Sequence, residues 1–382
     1  MKVLVLGAGQ LARMMSLSAT HLDIQVSAYD VATQQVIDPV TFEAHSATLE
    51  QAIADVDAIT AEFEHIPADV LSVCQSSEKF YPGAEAILTG GDRAKEKALL
   101  EKAQVACAPY ALITEKAHFF AAIEKLGKPL VVKTCQAGYD GKGQWRVKHD
   151  DEVEAIWLEM AEFLAAGTDT APHAIIAEQM IPFDREVSII GVRDRTGECR
   201  IYPLTENQHT NGVLTLSVAG KEKSAIQSQA ETAFAAIADE LNYVGVLAIE
   251  FFDVNGTLLV NEIAPRVHNS GHWTQQGCHA SQFENHIRAV AGLPTGDTSL
   301  LRPTAMINVL GQSSIPTQVL SVTGVTSHWY GKTAKPGRKM GHINVSANSL
   351  HELGERLAEL AEILPEADYP GIAKTSHALI LN

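Results

Sequence analysis

Two apolar runs separated by an Asn-Gly dipeptide limit the fold more than any other stretch of this chain. Val246-Leu247-Ala248-Ile249-Glu250-Phe251-Phe252 precedes Asn255-Gly256, and Leu258-Leu259-Val260-Asn261-Glu262-Ile263 follows it. Asn and Gly tolerate the positive φ that a two-residue hairpin turn needs, so the runs should pair as antiparallel strands. Glu250 stands five residues before Asn255 and Glu262 six after Gly256, which sets the two acids nearly opposite each other. Paired carboxylates on apolar strands repel unless a dication sits between them. Magnesium carrying nucleotide phosphates suits such a pair, because it takes few protein carboxylates and completes its shell with phosphate and water. The plainer alternative is a pair of strand ends meeting solvent.

The rest of the chain divides around that hairpin. Residues 1–107 alternate short apolar strands (3–6, 25–29, 58–62) with helical stretches (10–20, 48–54, 92–102), the pattern of a parallel sheet covered by helices. Residues 108–189 read as a smaller α+β insertion: Thr114 is the expected N-cap of a helix over 115–126, and a strand over 129–134 runs into a glycine-rich turn. Residues 190–382 hold long strands around an amphipathic helix over 222–241. The expected class is therefore α/β and α+β in three domains.

That glycine-rich turn carries the second chemical signal. Lys133 lies inside Leu130-Val131-Val132-Lys133, and Gly138-Tyr139-Asp140-Gly141-Lys142-Gly143-Gln144 follows. A lysine in a buried strand needs an anionic partner, and nucleotide phosphate is the natural candidate. Three glycines suit a flap that closes over phosphates. An edge-strand lysine beside an ordinary hairpin is the alternative. Gly7-Ala8-Gly9-Gln10-Leu11-Ala12 opens a helix after the first strand, with Asp30 at the end of the next. That pair fits a dinucleotide fingerprint, and equally a tight strand-helix connection. Pro265-Arg266-Val267-His268-Asn269-Ser270-Gly271-His272-Trp273 reads as a donor-rich loop for an anionic or ribosyl ligand, not a zinc pair, because the glutamate that accompanies paired zinc-binding histidines in metalloprotease motifs is missing. Pro336-Gly337-Arg338-Lys339, with Lys332 nearby, has the same cationic character or is a solvated turn. Glu62, Glu64 and His65 end a strand with no role legible from the sequence.

Bulk properties exclude some functions. A formal charge of −17 argues against a nucleic-acid footprint, and no run approaches the ~20 apolar residues that span a bilayer. Five cysteines without C-x-x-C spacing fit a reducing cytoplasm.

Together, Gly9-Gln10-Leu11, the 138–144 flap, the stretch 261–273 and Pro336-Gly337-Arg338-Lys339-Met340-Gly341-His342 resemble the 5-(carboxyamino)imidazole ribonucleotide synthetase family of ATP-grasp ligases, across essentially the whole chain. The resemblance implies a cytoplasmic homodimer of purine biosynthesis that uses ATP and Mg2+. Bicarbonate would attack the γ-phosphorus to give carboxyphosphate, and carboxyphosphate, or the carbon dioxide it releases inside the closed site, would then be captured by the amine of 5-aminoimidazole ribonucleotide. Carried over by position, the nucleotide would meet Arg93, Lys133, the flap Gly138, Tyr139, Asp140, Gly141, Lys142, Gly143 and Gln144, the hinge Glu178, Gln179, Met180 and Ile181, then Glu186, His209, Asn261 and Glu262. Glu250 and Glu262 would hold magnesium. The acceptor would meet Gln10, Tyr139, Asp140, Arg266, His268, Asn269, Ser270, Lys332 and Arg338, with Lys133, Asp140 and Arg266 in catalytic roles. Ala12 departs from the glycine the family often has there. An NAD oxidoreductase would leave the flap, Lys133 and the paired glutamates without purpose, whereas a non-catalytic nucleotide sensor would keep them.

Overall fold

The computed structural model describes residues 1–136, 143–168, 173–220 and 225–381. The first strands, Lys2–Leu6, Gln25–Asp30 and Ala58–Ala61, run parallel, and Gln35–Ile37 adds an antiparallel edge beside Gln25–Asp30. Two of the helices in this region begin at side-chain caps. Thr48 and Gln51 form a reciprocal capping box, and Asp92 accepts from Ala94 N–H at 2.9 Å. Thr114 does not cap its helix: Lys116–Leu126 starts after Glu115, and the Thr114 hydroxyl bonds His118 Nδ1 at 3.0 Å.

A four-stranded antiparallel sheet follows, in the order Tyr110–Ile113, Ile175–Gln179, Leu130–Thr134, Gln144–Val147. The next strand, Arg185–Arg193, lies wholly in a different, nine-stranded sheet, so the break between the two sheets falls between Gln179 and Arg185. A division at 189/190 would cut that strand in half. The large sheet runs Thr257–Ala264, Gly245–Val254, Arg185–Arg193, Thr205–Thr210, Val213–Ala219, Thr304–Leu310, Lys339–Ser346, Val325–Trp329, with Cys199–Ile201 beside Arg185–Arg193. The helix expected over 222–241 spans Ala225–Glu240.

The first sheet is not a separate bead on a linker. Val3, Leu11 and Met15 share one buried cluster with Ile190, Val246, Phe283 and Ile287, so the apolar faces of the two regions form a continuous core. A polar pin crosses the same seam. His286 Nδ1 accepts from Val246 N–H at 3.0 Å, which leaves the ring proton on Nε2 to face Thr60 Oγ1 at 2.7 Å. This seam fixes the N-terminal turn relative to the Glu250–Glu262 hairpin.

Candidate functional site

The hairpin forms with Asn255 at φ 50 and Gly256 at φ 80, as a two-residue turn requires. Val254 pairs with Thr257 and Phe251 with Val260, then the register slips by one so that Glu250 lies directly opposite Glu262. That bulge absorbs the five-versus-six spacing and aims both acids the same way. Glu250 is buried, and burial first, then the Glu262 charge, pushes its carboxyl up to about 7. His268 joins them: one ligand atom from each of Glu250, Glu262 and His268 lies within 4.8 Å of the others. Burial holds the His268 imidazole neutral, with its pKa well below the ordinary value. Two carboxylates in mutual repulsion and an oxygen-rich donor set fit a hard dication.

Above the hairpin lies a cleft of about 630 Å³ between the two antiparallel sheets. Lys133, Arg93, Glu178, Gln179, Met180, Ile181, Glu186, His209, Asn261 and Glu262 all line it, which brings together residues predicted for the nucleotide from every part of the chain. Phe183 and Phe252 stack at 4.6 Å on its apolar side. Lys133 Nζ pairs with Glu178 Oε2 at 2.7 Å. His209 Nδ1 lies 2.9 Å from Glu186 Oε2; burial opposes the imidazolium, but Glu186 together with Glu250 and Glu262 outweighs it and raises the His209 pKa. Arg93 donates to Thr134 O at 2.9 Å, at the root of the flap. Gly143 has φ 66, and a Cβ there would meet the Thr134 hydroxyl at 2.8 Å; its carbonyl accepts from Thr134 N–H at 2.9 Å. Gly138, Tyr139, Asp140, Gly141 and Lys142 lie outside the described residues.

The loop after the hairpin closes one end of the cleft. Arg266 is gripped by Glu64, Nε to Oε1 at 2.7 Å, so the acid left without a role by the sequence orients this guanidinium. Both polar atoms of the Asn269 amide are buried without a hydrogen-bond partner while the residue lines the cleft. Ser270 is turned away from the cleft: fully buried, it accepts from Ser188 Oγ at 2.9 Å and touches His268 Nδ1 at 2.9 Å, so it supports that imidazole from beneath.

The N-terminal turn departs from a dinucleotide fingerprint. Its anion is the protein's own: Glu62 Oε1 accepts from Gly9 N–H, and Oε2 from Ala12 N–H at 2.9 Å. A Cβ at Gly7 would stand 2.5 Å from Glu62, and one at Gly9 2.7 Å, so both glycines make room for that carboxylate. Asp30 is likewise engaged, accepting from Ala32 N–H at 2.9 Å. Beside this turn Gln10 Oε1 accepts from Lys332 Nζ, joining residues 322 positions apart. Burial, then the nearby Arg338 charge, brings the Lys332 ammonium down to about 8, as expected of a cationic site awaiting an anion. Arg338 is exposed and donates to Thr333 O at 3.0 Å, holding its turn closed.

Comparisons with known proteins agree with this geometry. Residues 1–89 match the ribonucleotide synthetase preATP-grasp domain, 98–283 the ATP-grasp domain, and 304–356 the phosphoribosylaminoimidazole carboxylase C-terminal domain. The chain is 55% identical to the N5-carboxyaminoimidazole ribonucleotide synthase of Vibrio cholerae over 97% of its own length and 98% of that protein's. The crystal structure of N5-carboxyaminoimidazole ribonucleotide synthetase from Thermus thermophilus is similar with a TM-score of 0.84 at 36% identity, covering 95% of this chain and 99% of that one. The Aspergillus clavatus enzyme, solved with ADP and 5-aminoimidazole ribonucleotide, matches with a TM-score of 0.82 at 30% identity over 95% and 98% of the two chains.

Proposed function

The chain belongs to the N5-carboxyaminoimidazole ribonucleotide synthase family of ATP-grasp ligases, and from that premise we propose how its residues divide the work. MgATP occupies the cleft between the two antiparallel sheets. Glu250 and Glu262 would hold magnesium, which would supply positive charge to neutralise the phosphates. Lys133, Arg93 and His209 face the phosphates, and the hinge 178–181 with Phe183 and Phe252 takes the base. The observation that carries this reading is the direct opposition of Glu250 and Glu262 on the floor of a cleft that Lys133 also reaches.

A bicarbonate oxygen attacks the γ-phosphorus and ADP leaves, giving carboxyphosphate. The amine of 5-aminoimidazole ribonucleotide then attacks its carbon, phosphate departs and the amine loses a proton. Arg266, fixed by Glu64, and the unpartnered Asn269 amide face the space beside the γ-phosphate, where a carboxylate needs donors. Asp140, which lies outside the described residues, is assigned to orient the amine or accept its proton. Lys332, Arg338 and Gln10 take the ribonucleotide's own phosphate at the far end, and His268 and Ser270 support the loop between.

ADP release measured with 5-aminoimidazole ribonucleotide and bicarbonate, each omitted in turn, tests the assignment: turnover should require both. ADP release indifferent to either would refute it. Among the described residues no helix is long and apolar enough to cross a membrane. A cytoplasmic location and a homodimer belong to the same proposal, the first supported by five free cysteines and the second tested by sedimentation.

A further inference from the structure

Two lysines share one buried carboxylate where the three parts of the molecule meet. Helix Arg93–Lys102 carries Lys97 to 1% exposure, and its Nζ lies 2.7 Å from Glu178 Oε1. Lys133, at the cleft, holds the other oxygen, Oε2, at the same 2.7 Å. Glu96, the neighbour of Lys97 on the helix, accepts from Ile263 N–H at 2.9 Å and sets its second oxygen 4.0 Å from Lys97. The cluster thus ties the first helical layer to two strands of the smaller sheet and to the magnesium hairpin. Lys133 lines the cleft and Lys97 does not, so the two ammonium groups are not equivalent. Burial opposes both charges of the Lys97–Glu178 pair, yet their mutual attraction and Lys133 win: Lys97 is held above its ordinary pKa and Glu178 down at about 2.

A phosphate entering the cleft competes with Glu178 for the Lys133 ammonium. If Lys133 were the sole partner, its departure would strand a carboxylate in the interior, at a cost that would subtract from nucleotide affinity. Lys97 cannot follow the phosphate, because it is enclosed on the far side of Glu178. We propose that Lys97 is a positioning residue for nucleotide binding: it is the fixed counter-ion of Glu178, and by keeping that carboxylate paired it leaves Lys133 free to exchange Glu178 for a nucleotide phosphate. The inference rests on the placement of Lys133 at the phosphates. It assigns the Glu178 side chain to Lys133 and Lys97, so that at this position of the hinge 178–181 the base is met by backbone.

The test is a double-variant cycle on the full chain, titrated with the magnesium complex of a non-hydrolysable ATP analogue. Lys97→Met should raise Kd about tenfold, the scale of one charge-assisted contact, because Glu178 then competes for Lys133 with its whole charge. Lys133→Met should also raise it. In Lys97→Met/Lys133→Met the constant should stay within about twofold of Lys133→Met alone, since no Lys133 remains to be released. Losses that multiply would show that Lys97 acts through general structure and would overturn the proposal. An unchanged Kd in Lys133→Met would refute the premise about Lys133, a separate and recognisable failure. Should Lys97→Met yield no folded protein, the comparison moves to the Glu178→Gln background, where adding Lys97→Met leaves two neutral side chains in contact. There the added substitution should change Kd by less than about twofold, and a tenfold loss would overturn the proposal.

Discussion

Glu178 and Glu250 are equally hidden, at 6% and 9% exposure, and both sit on strands that border the same cleft. Their surroundings push them in opposite directions. Two lysines hold the Glu178 carboxyl down at about 2, whereas burial and a facing Glu262 push Glu250 up to about 7. The protein has neutralised one acid with its own cations and has left the other confronting a second acid. A charge satisfied from within is a fixture of the fold, and a charge left unsatisfied in a cleft marks where a ligand must supply the opposite sign. The N-terminal turn obeys the same rule from the other side: its anion-binding N–H groups are filled by Glu62, so they hold structure, while burial and Arg338 bring the Lys332 ammonium beside them down to about 8, a charge the fold only partly compensates.

Glu178→Gln attacks the satisfied member and should show the largest effect on stability. It leaves Lys97 buried with its one close partner reduced to a neutral amide, and breaking a buried pair in this way costs about 3 kcal/mol. Urea unfolding of the metal-free protein at pH 7 measures it. The sign with pH follows from the depressed carboxyl. Its folded value of about 2 lies below its ordinary 4.5, so its contribution is complete above 4.5 and is lost as pH falls towards 2. The gap between wild type and variant should therefore narrow in that window. A variant as stable as wild type at pH 7 would break the comparison at its first term.

Glu250→Gln and Glu262→Gln attack the unsatisfied pair and should cost function instead. Each removes one charge of the pair proposed to hold magnesium, so ADP release at ordinary magnesium should fall by about 100-fold or more. Near-normal turnover in either purified variant would sink the pairing. Arg338→Ala is the next step down. It should lower kcat/KM for 5-aminoimidazole ribonucleotide about ten- to a hundredfold, the scale of one charge-assisted bond, and leave ATP affinity near wild type. Arg338→Lys should recover part of the loss, because lysine keeps the charge without the planar fork. Equal weakening towards both substrates would move Arg338 out of the acceptor site.

The unsatisfied pair was also the more legible in the sequence. An Asn-Gly turn with a glutamate on each side is a local pattern whose five-versus-six spacing sets the acids nearly opposite, and a bulge beside Glu250 brings them into direct register. The satisfied member was not legible, because its partners are remote. Lys97 reads as one more charge in Arg93-Ala94-Lys95-Glu96-Lys97, and only its helical neighbour Leu100 hints that this face is buried. Glu64 and Glu62 looked idle for the same reason: Arg266 lies about 200 positions away, and the Gly7–Gly9 turn advertises an anion without saying that the chain supplies it. Acceptor residues such as Lys332 and Gln10 came from resemblance, since nothing local joins them.

The smallest expected effect is also the sharpest check on the comparison, because it reverses the sign of the first. In the metal-free protein Glu250 contributes repulsion: it is buried, it faces Glu262 across a paired register, its other close neighbour, His268, is held neutral, and the charges of His209 and Lys339 offset only part of the penalty. Replacing one carboxylate by an isosteric amide removes that repulsion without opening a cavity. Glu250→Gln should therefore stabilise the metal-free protein by about 1 kcal/mol, the usual gain when a functional strain is relieved, while Glu178→Gln destabilises it. Both variants are to be melted at pH 8 in the presence of a chelator, where the Glu250–Glu262 repulsion is greatest. Adding the magnesium complex of ADP should then invert the ranking of wild type and Glu250→Gln, since a ligand stabilises in proportion to its affinity for the folded state and the variant has lost part of that affinity. A Glu250→Gln protein that melts below wild type in chelator would mean that the carboxylate is already neutralised within the chain, as Glu178 is, and that the distinction between the two buried acids does not mark the metal site.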